Sequence, residues 1–144
     1  LNEIYKAEGE AVYINIAMHY RFEYVDELLA VMRDHSYNIG KDVEVMHAEV
    51  TLYWKNFFSR SDIPDYLKRL EPVAMEKTFT IYAMRFIGER QNFKEGRVYL
   101  IKAIKINPKL ILNPKIVMSL VLTLLPVSIA KKFVKEYVTR KNQR

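Results

Sequence analysis

Acidic side chains come in close pairs early in the chain: Glu8 with Glu10, Asp26 with Glu27, and Asp42 with Glu44. A carboxylate can take a proton from a reacting hydroxyl, but acid pairs this close in sequence usually face solvent. The three histidines, His19, His35 and His47, do not form the i, i+4 pair of a helical zinc site. His47 is expected to be structural or solvated. There is no cysteine, which excludes disulfides, thiolate metal centres, iron–sulfur clusters and cysteine nucleophiles. No glycine-rich phosphate loop and no Gly-x-Ser-x-Gly turn occurs.

The elements that must position these residues are read from periodicity. Glu10–His19 fits either period. Phe22, Tyr24 and Val25 look like a short strand, and Leu28–Met32 like a second strand or a helical turn. Asp42 is a good N-cap, and Val43, Met46, Val50, Tyr53, Trp54 and Phe57 then recur at helical steps. Ser59–Asp62 ends that helix. Asp62 is expected to cap the next one, with Pro64 in its first turn, and Pro72 to break or kink it. Met75, Phe79, Tyr82, Ala83 and Phe86 make a further stripe, Arg90–Asn92 a polar turn, and Phe93, Gly96, Leu100, Ala103 and Ile104 another stripe. Asn107-Pro108 stops that helix, and Asn113-Pro114 starts the next.

The 144 residues are half hydrophobic and 28% charged, which suits a globular domain and excludes a wholly disordered chain. Residue 1 is Leu and no secretory signal pattern opens the chain, which reads either as a processed or trimmed N-terminus or as a fragment of something longer. Of the net charge of +6, the tail from Lys131 onward supplies +5, because Glu136 is its one acid. That asymmetry argues against a protein-wide nucleic-acid surface. Ile116–Ala130 carries no charge, yet it is shorter than the roughly 20 apolar residues of a spanning helix and contains Pro126. It reads either as a buried core helix or as a segment in a membrane interface beside cations. On the second reading Lys131, Lys132, Lys135 and Phe133 are the contact residues for an anionic surface. On the first, Ser128–Thr139 is an amphipathic terminal helix packing on its own domain.

Phe79–Pro108 reads as an antiparallel helix pair. Its spacing Phe93, Gly96, Leu100, Ala103, Pro108 resembles the second half of a tetratricopeptide repeat, in which small residues let two helices approach closely. One such unit is recognisable, with Met84 standing where that repeat expects glycine. A free-standing repeat scaffold usually needs about three.

The block from Glu8 to Asn38 resembles the end of the catalytic domain of family 2 glycosyltransferases. In that family a Glu-Asp-x-Asp segment opens a helix, here represented by Val12–Ala17. Phe22-Glu23-Tyr24-Val25-Asp26-Glu27 is similar to the strand that follows, and Leu29–His35 to an Arg-x-His loop. The series continues through Met46, Tyr53, Phe57-Phe58-Ser59 and Asp62-Ile63-Pro64 to Ala103-Ile104-Lys105-Ile106-Asn107-Pro108-Lys109-Leu110. The resemblance implies that Glu8, or Glu10 in a slipped register, is the base that deprotonates an acceptor hydroxyl. It further implies that Arg33 and His35 lie near the nucleotide-sugar diphosphate or the acceptor. Gly9 stands where the motif has its first Asp. The donor half of the family, with its metal-binding Asp-x-Asp, would lie upstream.

The expectation is therefore a mainly α protein, a helical bundle with one tetratricopeptide-like hairpin, preceded by a short α+β remnant of a catalytic domain. The divisions are residues 1–40, 41–112 and 113–144. The chain alone should hold no cofactor and no transferase activity. The resemblance implies a parent that uses a nucleotide sugar with Mg or Mn in cell-surface polysaccharide synthesis. Expected partners are the upstream catalytic domain, an anionic membrane surface and a second copy of the chain, without nucleic acid, and the expected location is the cytoplasm, either free or peripheral on the inner membrane face. The competing readings are a helical protein-interaction module and a peripheral membrane adaptor.

Overall fold

The computed structural model describes residues 8–27 and 39–142. The order is α1 (Glu8–Ala17), a 3-10 turn (Ile39–Lys41), α2 (Val43–Ser59), α3 (Asp65–Lys68) and α4 (Glu71–Gly88). Then come α5 (Phe93–Ile106), a second 3-10 turn (Pro108–Leu112), α6 (Pro114–Leu124) and α7 (Val127–Asn142). The protein is mainly helical, and no strand occurs among the described residues. It forms two compact units that meet in sequence after Phe57.

In the first unit, α1 leaves Val12, Tyr13 and Ile16 largely exposed. The segment that follows corrects the strand expected at residues 22–27. Its backbone is irregular, with Phe22, Tyr24 and Val25 all more than half exposed. A strand is made by its neighbour, since its N–H and C=O groups pair sideways rather than within the segment. No strand among the described residues is there to pair with, so β-type composition alone does not make one. The α+β remnant is accordingly not supported by these residues, whose regular element is α1. The Leu28–Met32 stretch lies outside the described residues.

In α2, Asp42 is the N-cap foreseen from the sequence, its Oδ1 accepting from the Val45 N–H at 3.1 Å. Val43, His47, Val50 and Phe57 are buried along one stripe. Tyr53, Trp54 and Phe57 form a ring cluster with centroids 5.3–6.0 Å apart.

The second unit is built on the α4–α5 hairpin. Two expectations at its entrance are corrected. The N-cap residue of α3 is Pro64 rather than Asp62, whose carboxylate accepts from Arg60 Nε at 2.9 Å and Nη2 at 2.6 Å. Pro72 does not break a helix but sits in the first turn of α4. There its missing N–H would have had no intrahelical partner anyway. The turn between α4 and α5 holds Gln91 at φ 52°, with the Asn92 N–H donating to the Phe86 carbonyl at 2.8 Å. Asn92 then caps α5 through the Glu95 N–H at 3.2 Å.

Phe93, Gly96, Leu100 and Ala103 form the buried stripe of α5, as their spacing requires. At Gly96 the two helices approach closely. A Cβ placed there would collide with Ile87 Cγ1 and lie 3.3 Å from the Ala83 carbonyl oxygen. Ala83, Ile87, Phe93, Leu100, Ile116, Ala130 and Val134 make one apolar core, drawn from α4, α5, α6 and α7. Met84, Tyr99, Ile104, Leu110, Leu120 and Leu125 pack around it.

Candidate functional site

The four residues singled out for chemistry are not assembled into a described site. Glu8 and Glu10 fall in the first turn of α1. A two-residue step rotates their backbone positions by about 200° around the helix axis, so they do not share one face. Arg33 and His35 lie outside the described residues. Among the described residues, no group of three or more His, Asp or Glu could hold a metal ion. His47 is buried, 3.4 Å from Thr51 Oγ1 through its Nε2, which makes it a structural histidine of α2.

The C-terminal contact residues are placed. Lys131, Lys132, Phe133 and Lys135 are all exposed on α7, whose buried stripe in this part is Ala130 and Val134. Phe133 leaves 55% of its surface to solvent. The helix before them is the larger surprise. Asn113 caps α6 through the Lys115 N–H at 3.0 Å, with Pro114 in the first turn. α6 then buries Ile116 and Thr123 and packs Leu120 against the core. Its opposite stripe, at steps of one, three and three residues, is Val117, Met118, Val121 and Leu124, each 42–64% exposed. The helix ends at Leu124 and the chain turns at Leu125-Pro126. No helix among the described residues is long and apolar enough to cross a membrane.

Polar contacts hold α6 against the hairpin while its outer stripe stays apolar. The Arg97 guanidinium of α5 donates through Nη2 to the Thr123 carbonyl, in the last turn of α6. That carbonyl is one of the four that a helix end leaves without an intrahelical donor, and a cation suits that end of the dipole. Arg97 Nε is buried without a hydrogen-bond partner. Thr123 Oγ1 donates to the Leu120 carbonyl at 2.7 Å, and Ser119 Oγ donates to Met84 Sδ at 3.2 Å. The few hydroxyls of α6 are therefore spent inward.

A second arrangement was not read from the sequence. Tyr99 stacks on Phe86 and Phe79, with centroids 5.5 and 5.9 Å away, and Lys102 Nζ lies 4.8 Å above the Tyr99 ring. Burial, with the negative charge of Glu95 nearby, raises the Tyr99 pKa above its ordinary value. The residues come from facing helices, and only the hairpin's register brings them together. Nearby, the hydrogen bond from Arg85 to Glu89, 2.9 Å from Nε to Oε1, holds the guanidinium above its usual pKa. These contacts rigidify the hairpin and make no catalytic constellation.

The α6 stripe was half legible in the sequence. The uncharged run Ile116–Ala130 was visible, but both of its helical faces are apolar, so periodicity alone could not say which one the core takes. Comparisons with protein-family models, with curated proteins and with solved structures return no match to this chain.

Proposed function

We propose that this chain is the C-terminal helical part of a family 2 glycosyltransferase. On this reading the parent moves a sugar from a nucleotide donor to a saccharide or lipid-linked acceptor at the cytoplasmic membrane face. The observation that carries the reading is the order of sequence features from Glu8 to Leu110, which follows that family's series. The helix Glu8–Ala17 supports it, since the family's acidic segment opens a helix and Glu8 and Glu10 stand in the first turn. Glu8 is the base on this reading, with Arg33 and His35 beside the departing diphosphate, where a cation and a charged imidazole would stabilise the leaving group.

The test is the reading frame upstream of Leu1. About two hundred residues of α/β pattern with an Asp-x-Asp segment are expected. In that longer protein Glu8→Gln should lower turnover by about 10²- to 10⁴-fold, the usual worth of a general base. A start codon just upstream, or turnover of a nucleotide sugar by the 144-residue chain alone, would sink the proposal.

The competing reading is a tetratricopeptide-like interaction module. It is favoured by the close Gly96–Ala83 approach and by Ala103, fully buried at the other small position. Further helical hairpins upstream, at about 34-residue spacing, would favour it over the transferase.

A further inference from the structure

The outer stripe of α6 inverts the ordinary pattern of a surface helix. A helix on a globular core turns its polar side outward. Here Val117, Met118, Val121 and Leu124 face solvent, and exposed Pro126 and Val127 continue the apolar surface around the corner into α7. Ile111 and Leu112, just before α6, are also more than half exposed. Isolated exposed apolar residues are unremarkable in any protein, whereas a whole apolar helix stripe marks a surface that meets something else.

The charge around the stripe says what that is. From Gly96 to Arg144 the chain carries eleven Lys and Arg against one acid, Glu136, so its first 95 residues hold a net negative charge. Lys115, Lys131 and Lys132 are all exposed at the ends of the apolar run. A second copy of this chain would bring the same cations against one another across a two-fold interface, with Glu136 the one acid of this stretch to answer them. A protein partner would ordinarily exchange about one hydrogen bond per 100–200 Å², and the outer stripe of α6 offers no polar side chain for that. A lipid surface asks for neither.

We propose that α6 and the start of α7 form a docking surface for an anionic lipid bilayer. Both helices lie in the interface plane, their apolar side chains entering the acyl boundary and their lysines meeting lipid phosphates. At 11 residues, α6 is about 16 Å long, half of the roughly 30 Å hydrocarbon core, so it lies on the membrane rather than crossing it. Arg97, holding the end of α6 from the inside, keeps the stripe turned outward. This inference does not depend on the transferase reading; it rests on exposure and charge alone.

The test is flotation of the 144-residue chain with vesicles of phosphatidylcholine alone, or mixed with phosphatidylserine. Capture by the mixed vesicles is expected, weakening with salt as screening shortens the reach of the lysines. Val121→Glu with Leu124→Glu should lower capture by more than about tenfold, with the helical signal and melting transition unchanged. Neutralising Lys115, Lys131 and Lys132 should cost about fivefold per lysine. Val98→Glu, on the solvent side of α5, serves as a control and should leave capture intact. No capture by mixed vesicles would overturn the proposal. So would equal capture by neutral vesicles, or a dimer in solution that the α6 double variant dissociates.

Discussion

α5 and α6 belong to the same unit and are built alike. Each is opened by an asparagine whose side chain accepts from a backbone N–H of the first turn, and each buries one stripe in a shared core. They differ on the other side. α5 breaks up its exposed Val98, Ile101 and Ile106 with Lys94, Lys102 and Lys105, whereas the outer stripe of α6 carries no charged residue. The difference teaches that burial against the core and suitability for water are separate properties of a helix. α5 satisfies both, and α6 satisfies only the first. On the proposal above, the apolar exterior of α6 meets a lipid surface rather than water.

The sharpest way to break this comparison is to cut the same side chain from both helices. Leu100 of α5 is fully buried, and Leu124 of α6 is 64% exposed. Leu100→Ala should cost about 2–5 kcal/mol, whereas Leu124→Ala should change stability by less than about 0.5 kcal/mol. Urea unfolding followed by circular dichroism reads both. Similar losses for the two would mean that the outer stripe of α6 is packed against protein after all.

A smaller effect tests the link between the helices. Arg97→Met keeps much of the packing volume but leaves the Thr123 carbonyl without its donor. The loss should be about 1–2 kcal/mol, at or below the low end of the roughly 1.5–3 kcal/mol of hydrogen bonds to charged groups, because the unpartnered Nε is removed with it. Hydrogen exchange should quicken at the last turn of α6 more than in α4. Uniform quickening would show that Arg97 supports the whole unit rather than the end of α6.

Tyr99 gives the smallest effect and concerns α5 alone. Its pKa is raised in the folded state, chiefly by burial, so the native protein binds that proton more tightly than the unfolded chain does. Stability from this group is therefore present below the ordinary value of about 10 and is lost as the pH rises through the folded value. Tyr99→Phe should flatten the decline in stability between about pH 9 and 11 relative to the parent. An unchanged decline would place the alkaline sensitivity elsewhere.

How much of this was legible beforehand depends on the range over which each feature is decided. The caps at Asp42, Asn92, Asn107 and Asn113 are set within a few residues; Asp42 and Asn113 were read as caps from the sequence, whereas Asn92 was read only as part of a polar turn and Asn107 only as part of a helix stop. The stripes of α2, α4 and α5 followed from spacing, since one face of each is plainly richer in apolar residues. Pro72 was misread because a proline both ends and begins helices, and the choice rests on whether α3 persists through Arg69 and Leu70, which it does not. The segment 22–27 was misread because its aromatic and β-branched residues fit a strand that has no neighbour among the described residues. Of the residues picked for chemistry, Arg33 and His35 lie outside those residues, and Glu8 and Glu10 stand at the start of α1.

The sequence by itself determined where α2, α5 and α6 begin, which small residues let α4 and α5 approach, and that the positive charge gathers toward the C-terminal end. These follow from local hydrogen bonding, side-chain volume and simple counting. Tertiary structure alone decided which side of α6 the core takes, that Arg97 grips its end, and that Tyr99 joins Phe79 and Phe86. Each of those depends on residues far apart in the chain meeting in one register, and when both faces of a helix are apolar the sequence offers packing no instruction about which to hide.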